Sequence, residues 1–196
     1  LLDASGVPRV SEIVVTEHSE LEATRHEISF PVVMKVIGPV HKTDIGGVLL
    51  NIKSVEEMQS GFEQLMQIDK AQGVLIQPMI TGTELFIGVK RESNFGHIIL
   101  CGLGGIFVEV LNDFSSCLCP VSRTESITMI QRLRAYKIIQ GTRGRGGVNE
   151  ELFSEIIQRI SALVTAAPEI VEMDINPLMG SLSDITAVDT RIRIEK

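Results

Sequence analysis

The chain has 196 residues, of which 44% are apolar and 22% charged, and its formal net charge is −7 at pH 7. This balance is typical of a globular protein with a sizeable core, organised as one domain or as two lobes. The acidic charge and the absence of a dense Lys/Arg run argue against a nucleic-acid partner, although a local anion pocket stays possible. Apolar runs all fall short of the roughly 20 residues that cross a membrane, so no membrane partner is expected.

The first part of the chain alternates predicted strands and helices. Strands are predicted at 11–16, 31–37, 47–52 and 73–80 from their apolar and β-branched content. Helices are predicted to begin at Ser19 and Ser54, because each serine is followed three residues later by a glutamate. In the second helix, four apolar residues share one face at helical spacing: Val55, Met58, Phe62 and Leu65.

The second part contains longer elements. Two antiparallel strands are predicted at 81–92 and 96–111, and a helix is predicted at 122–139 with Ser122 and Glu125 as its cap pair. The glycine-rich stretch 141–149 predicts a loop, and the helix at 150–167 ends before Pro168. Strands at 170–179 and 185–195 close the chain.

This order predicts an α+β fold with two clusters. Residues 6–75 form a small sheet with two helices, and residues 76–196 form a larger sheet with two helices. We expect a hinge at 76–79 and a small-molecule site in the cleft between the lobes. No signal peptide is recognised in the sequence. Because the sequence opens without a methionine, we expect it to be a domain of a longer chain.

Three cysteines, Cys101, Cys117 and Cys119, lack the spacing of a zinc site. Their odd number also argues against a disulfide framework. We therefore expect a reducing cytoplasm.

A cluster of polar residues lies between the second and third predicted strands. Lys35 interrupts an apolar strand and needs an anion if it is buried, or faces solvent if it is not. His41, Lys42 and Asp44 precede the Gly46–Gly47 pair, whose backbone can approach a phosphate closely. His41 is a candidate acid/base group or phosphoryl acceptor, and the alternative is a polar hairpin loop without chemistry.

A second glycine segment, at 102–105, precedes the acids Glu109 and Asp113. It resembles a phosphate loop but matches neither the Walker pattern nor G-x-G-x-x-G. A structural bend explains these glycines equally well.

Oxygen-bearing side chains mark the last two predicted strands. Asp174, Asn176 and Asp189 are hard ligands that suit Mg²⁺ together with substrate phosphates and waters. Asp174 and Asn176 share one face of their strand by the alternation rule. The alternative is a polar, solvent-facing hairpin.

In their order along the chain, these motifs resemble the ATP-grasp domain of NDP-forming acyl-CoA synthetases, relatives of the succinyl-CoA synthetase β chain. The matching segments are PVVMKV, HKTDIGGVLLN, GVLIQPMITGTELFIGVKRESNFG, GLGGIFVEVLND, an RG pair in the glycine loop, EMDINPL and AVDTRIRI. The resemblance covers essentially the whole chain. It implies an ATP-grasp fold in which two α+β lobes hold the nucleotide, with 6–75 as a mobile lid subdomain and 76–196 as the C-terminal subdomain.

The resemblance also implies residue roles. Lys35 would contact the nucleotide phosphates, and His41 would match a histidine that transiently carries the phosphoryl group in some members. The strand 76–80, which includes Gln77, Pro78, Met79 and Ile80, would offer backbone groups to adenine, and Glu84 would lie near the ribose or line the cleft. Gly104, Gly105 and Glu109 would lie by the phosphates. The implied magnesium ligands are Asn176 and Asp189, with Asp174 as a weaker candidate.

The implied reaction converts acyl-CoA, ADP and phosphate into a carboxylic acid, CoA and ATP, with ATP/ADP and Mg²⁺ as cofactors. This chain would transfer the phosphoryl group between a histidine phosphate and ADP. CoA-binding and ligase domains would lie in the same longer chain or in a partner α subunit. One departure concerns His41, since the KVIGPVHK stretch is shorter than the common pattern of the family.

Two other functions remain open at this point. Related ATP-grasp domains are fused to protein acetyltransferases, where they serve a regulatory role. An ATP-grasp carboxylate ligase would form an acyl phosphate directly, and the HKTD segment argues against it because such a ligase needs no phosphohistidine.

Overall fold

The computed structural model describes residues 1–24, 26–39, 45–105, 108, 112–142 and 146–195. The elements of these residues follow in the order α1 (Leu2–Ser5), β1 (Ile13–Val15), α2 (His18–Thr24), β2 (Val32–Ile37), β3 (Val48–Ile52), α3 (Val55–Met66), β4 (Gly73–Pro78), β5 (Thr83–Glu92), β6 (Gly96–Leu103), β7 (Phe114–Leu118), α4 (Arg123–Gln131), α5 (Tyr136–Gln140), α6 (Glu150–Ala166), β8 (Ile170–Gly180), β9 (Ile185–Ala187) and β10 (Thr190–Ile194). They form two units, Val10–Ile80 and Leu1–Arg9 with Thr81–Lys196. The predicted α+β fold class is confirmed.

The small unit, Val10–Ile80, is an antiparallel sheet in the order β1-β4-β2-β3 with α2 and α3 on one face. Alternation places Val32, Met34 and Val36 in its core against Leu21 of α2 and Phe62 of α3. Lys35 therefore lies on the opposite face of the sheet.

The large unit contains the order β10-β8-β5-β6-β7, with β9 also paired to β8. Its core packs α4, α5 and α6 against one face of this sheet. The N-terminal segment belongs to this unit, because Leu2 and Val7 lie in the same core. Arg9 bridges to Ala187 in parallel, and the Ala187 N–H donates to the Pro8 carbonyl oxygen at 2.8 Å.

The boundary between the units differs from the predicted division at 75/76. That division would cut β4, which pairs with both β1 and β2 inside the small sheet. The units instead meet between Ile80 and Thr81, and residues 1–9 join the larger one. The role of the small unit as a lid stays a prediction.

Two helices have bounds that differ from those predicted from the sequence. Helix α2 begins at His18, before Ser19, because the Glu20 carboxylate accepts the Thr16 and Glu17 N–H groups at 2.7 and 3.2 Å. The predicted Ser19–Glu22 cap is therefore wrong. The Ser122–Glu125 capping box is confirmed, but the helix at 122–139 is interrupted between α4 and α5.

Two predicted strands are shorter than expected. The strand at 96–111 ends at Leu103, and the strand at 185–195 is divided into β9 and β10 by Val188 and Asp189. Strand β7 was not predicted, because its sequence FSSCL lacks a clear apolar period. Candidate site residues lie just after the end of β6, at 104–105, and in the interruption between β9 and β10, at 188–189.

Candidate functional site

The small unit places Lys35 and Gln77 on the same face of its sheet. Lys35 is opposite Leu75, and Gln77 is opposite Val33, so both point away from the core cluster. Lys35 is half-buried, and Gln77 is buried with its Nε2 group donating to Glu12 Oε1 at 2.8 Å. The face opposite the helices is thus polar at these two positions.

The predicted adenine-binding segment, 76–80, begins within β4 and continues beyond its end. Pro78 is opposite Val32, and the Met79 N–H donates to the Pro31 carbonyl oxygen at 2.9 Å. The Met79 amide is therefore engaged within the small unit, and Ile80 is its last residue.

Two candidate residues, His41 and Glu109, lie outside the described residues, as do Lys42 and Asp44. Their implied roles stay predictions from the resemblance.

In the large unit, Glu84 lies directly against the glycine pair. The Gly104 N–H donates to the Glu84 carbonyl oxygen at 2.7 Å, which extends the β5–β6 pairing beyond Leu103. Gly105 has a left-handed backbone with φ +58, and a Cβ atom there would overlap the Glu84 carboxylate. Glu84, Gly104 and Gly105 therefore form one contact group.

Asn176, a predicted metal ligand, contacts both Gly105 and the other predicted ligand, Asp189. Its side-chain Oδ1 accepts the Gly105 N–H at 3.1 Å. Its backbone N–H donates to the Asp189 carbonyl oxygen, also at 3.1 Å, and Thr190 is opposite Ile175. The sequence-distant residues Asn176 and Asp189 are thus cross-strand neighbours at the break between β9 and β10.

Asp174 lies two residues along β8, on the face opposite the core. Burial raises the pKa of its carboxyl group, Arg191 across the strand pair opposes this shift, and the acids Asp189 and Glu172 add to it. Asp174 and Arg191 line a groove of about 440 Å³ together with Lys90, Glu172 and Arg193. Sequence reasoning missed Arg191 and Arg193, although the alternation of TRIRI places both on one face.

A larger cavity of about 900 Å³ adjoins Glu84. Its lining comprises Gly82, Thr83, Glu84, Leu103, Ile138, Thr142, Gly146, Gly147, Gly180, Ser181, Leu182 and Ser183. Its size is in the range of small-molecule sites, and its hydroxyls and glycine backbone offer hydrogen-bonding groups. Only Glu84 of this lining was singled out from the sequence, because the other residues carry no charge and come from six separate segments.

Asp113, which follows the glycine segment, has a structural role. Its two carboxylate oxygens accept the Arg134 and Ala135 N–H groups at 3.0 and 2.8 Å. These contacts fix the turn between α4 and α5, so a phosphate-site role for Asp113 is not supported.

The described residues set limits on other sites. No described helix has both the length and the apolar character needed to span a bilayer. Within the same part of the chain, no three His, Cys, Asp or Glu side chains are grouped to hold a metal by themselves. Asn176 and Asp189 suit a cation that takes its remaining ligands from phosphates and water.

Comparison with known proteins identifies relatives along the whole chain. The ATP-grasp domain family matches residues 1–194. The β subunit of ADP-forming acetate–CoA ligase I from Pyrococcus furiosus is 39% identical over 98% of this chain and 87% of its own length. ADP-forming acetate–CoA ligase I from Archaeoglobus fulgidus is 36% identical, but the chain spans only 29% of it.

Solved structures agree with this match. Dinucleotide-forming acetyl-coenzyme A synthetase 1 from Ca. Korarchaeum cryptofilum, in complex with coenzyme A, Ca-AMPCP and HgCl⁺, superimposes with a TM-score of 0.93 at 33% identity. The match covers 99% of this chain and 89% of that one. Another complex of that enzyme, with coenzyme A and Mg-AMPPCP, has its phosphohistidine segment pointing towards the nucleotide binding site, and it superimposes with a TM-score of 0.87 at 34% identity over 99% of this chain and 88% of that one.

Proposed function

Because this chain belongs to the ATP-grasp family of ADP-forming acyl-CoA ligases, we propose that it carries the nucleotide half of such an enzyme. The complete reaction converts acyl-CoA, ADP and phosphate into a carboxylic acid, CoA and ATP. The nucleotide half transfers a phosphoryl group between a histidine phosphate and the β-phosphate of ADP. The observation that carries the proposal is the contact group of Glu84, Gly104, Gly105 and Asn176, which joins the predicted ribose, phosphate and metal residues within one unit.

The nucleotide roles are distributed over both units. In the small unit, the Lys35 ammonium group binds phosphate oxygens, and the backbone of the segment 76–80 contacts adenine. In the large unit, the Glu84 carboxylate binds the ribose, and the glycine pair with Glu109 lies near the phosphates. Catalysis by these groups consists of positioning and charge neutralisation, which is sufficient for phosphoryl transfer.

Magnesium is proposed to be held by Asn176 and Asp189, with Asp174 as a weaker candidate. Mg²⁺ commonly uses one or two carboxylates together with phosphates and waters, and the adjacent Asn176 and Asp189 provide that donor set. When bound, the metal neutralises phosphate charge.

His41 is proposed to relay the phosphoryl group, and a phosphate-binding donor role is the alternative. The variant His41→Asn keeps a hydrogen-bond donor but cannot be phosphorylated. In the enzyme complete with its CoA-binding part, a relay predicts near-complete loss of ATP formation with nucleotide affinity retained. Substantial turnover by the variant would favour the donor role instead.

The thioester chemistry is proposed to need a CoA-binding partner. The chain matches a separate β subunit in one relative and 29% of a longer ligase in another, so the partner is an α subunit or another domain of a longer chain. The carboxylic acid substrate is proposed to bind largely within that partner.

Calorimetry on the chain with Mg-ADP tests the nucleotide site. We expect binding, and we expect Glu84→Gln to weaken it about tenfold because a charged hydrogen-bond acceptor is lost. The matched control is Glu92→Gln at the other end of β5, a half-buried position paired with Lys90, and it should leave the affinity unchanged. Absence of binding at millimolar Mg-ADP, or equal effects of the two variants, would contradict the proposed site.

The same titration tests the metal ligands. Asp189→Ala should increase the Mg²⁺ concentration needed for ADP binding about tenfold or more, because a carboxylate ligand is removed. Asp184→Ala, in the exposed turn before β9, is the control and should leave the magnesium dependence unchanged.

A further inference from the structure

We propose that Asn176 is a positioning residue for the glycine pair, in addition to its proposed role as a metal ligand. The inference deepens the proposed function and rests on it for its catalytic meaning. It starts from the 3.1 Å hydrogen bond between the Gly105 N–H and Asn176 Oδ1. A backbone N–H can only donate, so the oxygen end of the Asn176 amide faces Gly105.

The glycine pair is held from several sides. A Cβ atom on Gly104 would lie 2.6 Å from the Leu85 carbonyl oxygen and 3.0 Å from Asn176 Oδ1. A Cβ atom on Gly105 would overlap the Glu84 carboxylate. Residues of β5 and Asn176 of β8 thus approach the glycine backbone closely. The position of the glycine pair therefore depends on β5 on one side and on Asn176 on the other.

These contacts join three proposed binding functions. Glu84 contacts Gly104 through its backbone and Gly105 through its carboxylate, and Asn176 contacts Gly105 through its side chain. Asn176 is also hydrogen-bonded through its backbone to Asp189. The ribose-binding carboxylate, the phosphate-binding amides and the metal ligands are thereby connected through one short series of contacts.

The Asn176 oxygen can serve two partners at once. A side-chain carbonyl oxygen has two lone pairs, so it can accept the Gly105 N–H and also bind a cation. Binding at one lone pair alters the strength of the other interaction, and such coupling is reciprocal. Metal binding and the order of the glycine pair are therefore linked through this single oxygen, and the pair is already positioned before ligand binds.

The test is amide hydrogen exchange by NMR on the whole chain, without metal and without nucleotide. In the wild type, the Gly105 amide should exchange more slowly than an unstructured glycine. Asn176→Leu, which has similar size but no acceptor, should accelerate that exchange about five- to tenfold. Asn176→Asp should restore protection, because a carboxylate oxygen accepts the same hydrogen bond.

The control separates positioning from metal binding. Asp189→Ala removes a proposed metal ligand but leaves the acceptor for Gly105, so it should leave Gly105 exchange unchanged without metal. In the wild type, the Gly105 amide resonance should shift during a Mg²⁺ titration, and Asn176→Leu should lose that shift.

The outcomes are distinct. Equal Gly105 exchange in the wild type and Asn176→Leu overturns the positioning role, whatever the nucleotide affinity. Wild-type exchange at the rate of an unstructured peptide overturns it even if the variant fails to fold. Slow wild-type exchange, accelerated by the Leu variant, supports the role even if the chain binds no Mg-ADP, so failure of the proposed function is recognised separately.

Discussion

At the scale of single residues, Gly105 combines two requirements that only glycine meets. Its φ of +58 is a left-handed conformation, and the Glu84 carboxylate occupies the space of a Cβ atom. Gly96 at the β5–β6 turn also has a positive φ, of +80, but no neighbouring atom lies within 4 Å of its Cβ position. Comparing substitutions at Gly96 and Gly105 therefore separates the effect of backbone strain from the effect of displacing the Glu84 carboxylate.

We predict that Gly105→Ala and Gly96→Ala each lower the free energy of unfolding by about 1 kcal/mol, because both impose a left-handed backbone on alanine. Only Gly105→Ala should also weaken Mg-ADP binding, by tenfold or more, since the new methyl group displaces Glu84. Urea unfolding and calorimetry measure the two effects. Wild-type affinity in Gly105→Ala would show that the Glu84 contact is irrelevant to binding.

Cys101 is a second residue with a measurable consequence. It is buried in the large core opposite Ser115, and this burial raises the pKa of its thiol to about 12. The folded state therefore keeps the thiol neutral at a pH where the unfolded chain already ionises it. A raised pKa contributes stability that is complete below about pH 9 and lost as the pH rises towards 12.

We predict that the free energy of unfolding falls by about 1 kcal/mol more in the wild type than in Cys101→Ala between pH 8 and pH 10. Urea unfolding at both pH values measures this difference. Cys117→Ala is the control, because that half-exposed thiol is less desolvated and should change the pH dependence less. Parallel pH profiles for the wild type and Cys101→Ala would contradict the prediction.

At the scale of elements, local sequence predicted most helices and strands, whereas their interruptions depended on distant partners. The cap pairs at Ser54 and Ser122 are local and were correctly predicted. The break between α4 and α5 instead coincides with contacts from Asp113, about twenty residues earlier. No periodicity within 122–139 signals that contact.

The candidate site follows the same division. The types and spacing of Glu84, Asn176 and Asp189 resembled a known family, so these residues could be selected from the sequence. Their contacts could not be derived, because the end of β6 and the break between β9 and β10 result from pairing with β5 and β8. The cavity beside Glu84 was missed for a similar reason, since uncharged residues become a lining only after folding.

The turn between α4 and α5 provides the prediction at this scale. Asp113→Ala should lower the free energy of unfolding by about 1–3 kcal/mol, because two backbone N–H groups lose a charged acceptor. Denaturant unfolding measures the loss. Mg-ADP affinity should stay at the wild-type value, and a selective loss of affinity without a loss of stability would restore a binding role for Asp113.

Asp184→Ala is the matched control for this substitution. Among the described residues, its carboxylate accepts a local hydrogen bond from the neighbouring Ser183 hydroxyl, and it lies in an exposed turn. The expected change in stability is within about 0.5 kcal/mol.

At the scale of the whole molecule, each unit has its own sheet and its own apolar core. The small unit is one continuous segment, Val10–Ile80, inserted between two parts of the large unit. Arg9 bridges to Ala187, which pairs with Leu178, and Leu178 pairs with Leu85. Arg9 and Leu85 are therefore separated by three strand spacings in one sheet, about 14 Å, and Thr81, where the chain leaves the insertion, lies four residues before Leu85.

We predict that the large unit folds alone after residues 10–80 are replaced by a flexible linker of about nine glycine and serine residues, whose mean span is about 17 Å. Its core residues all remain, so the shortened chain should unfold cooperatively and keep dispersed NMR signals. Thermal unfolding by circular dichroism measures this, with Leu2→Asp, which disrupts core packing by the N-terminal segment, as a destabilised comparison. A non-cooperative transition would mean that the large core depends on the small unit.

The insertion also has a consequence for the order in which the chain acquires its structure on the ribosome. Residues 1–9 are made before the small unit, but their partners, Arg159 and Ala187, are made after it. The small unit is contiguous and can fold as soon as residue 80 has left the exit tunnel, while the large sheet must wait for β8, which lies between β10 and β5. Nascent chains should therefore pass through a stage in which a finished small unit is tethered between two unfinished halves, and the exposed apolar strands β5 and β6 are then the segments most in need of a chaperone.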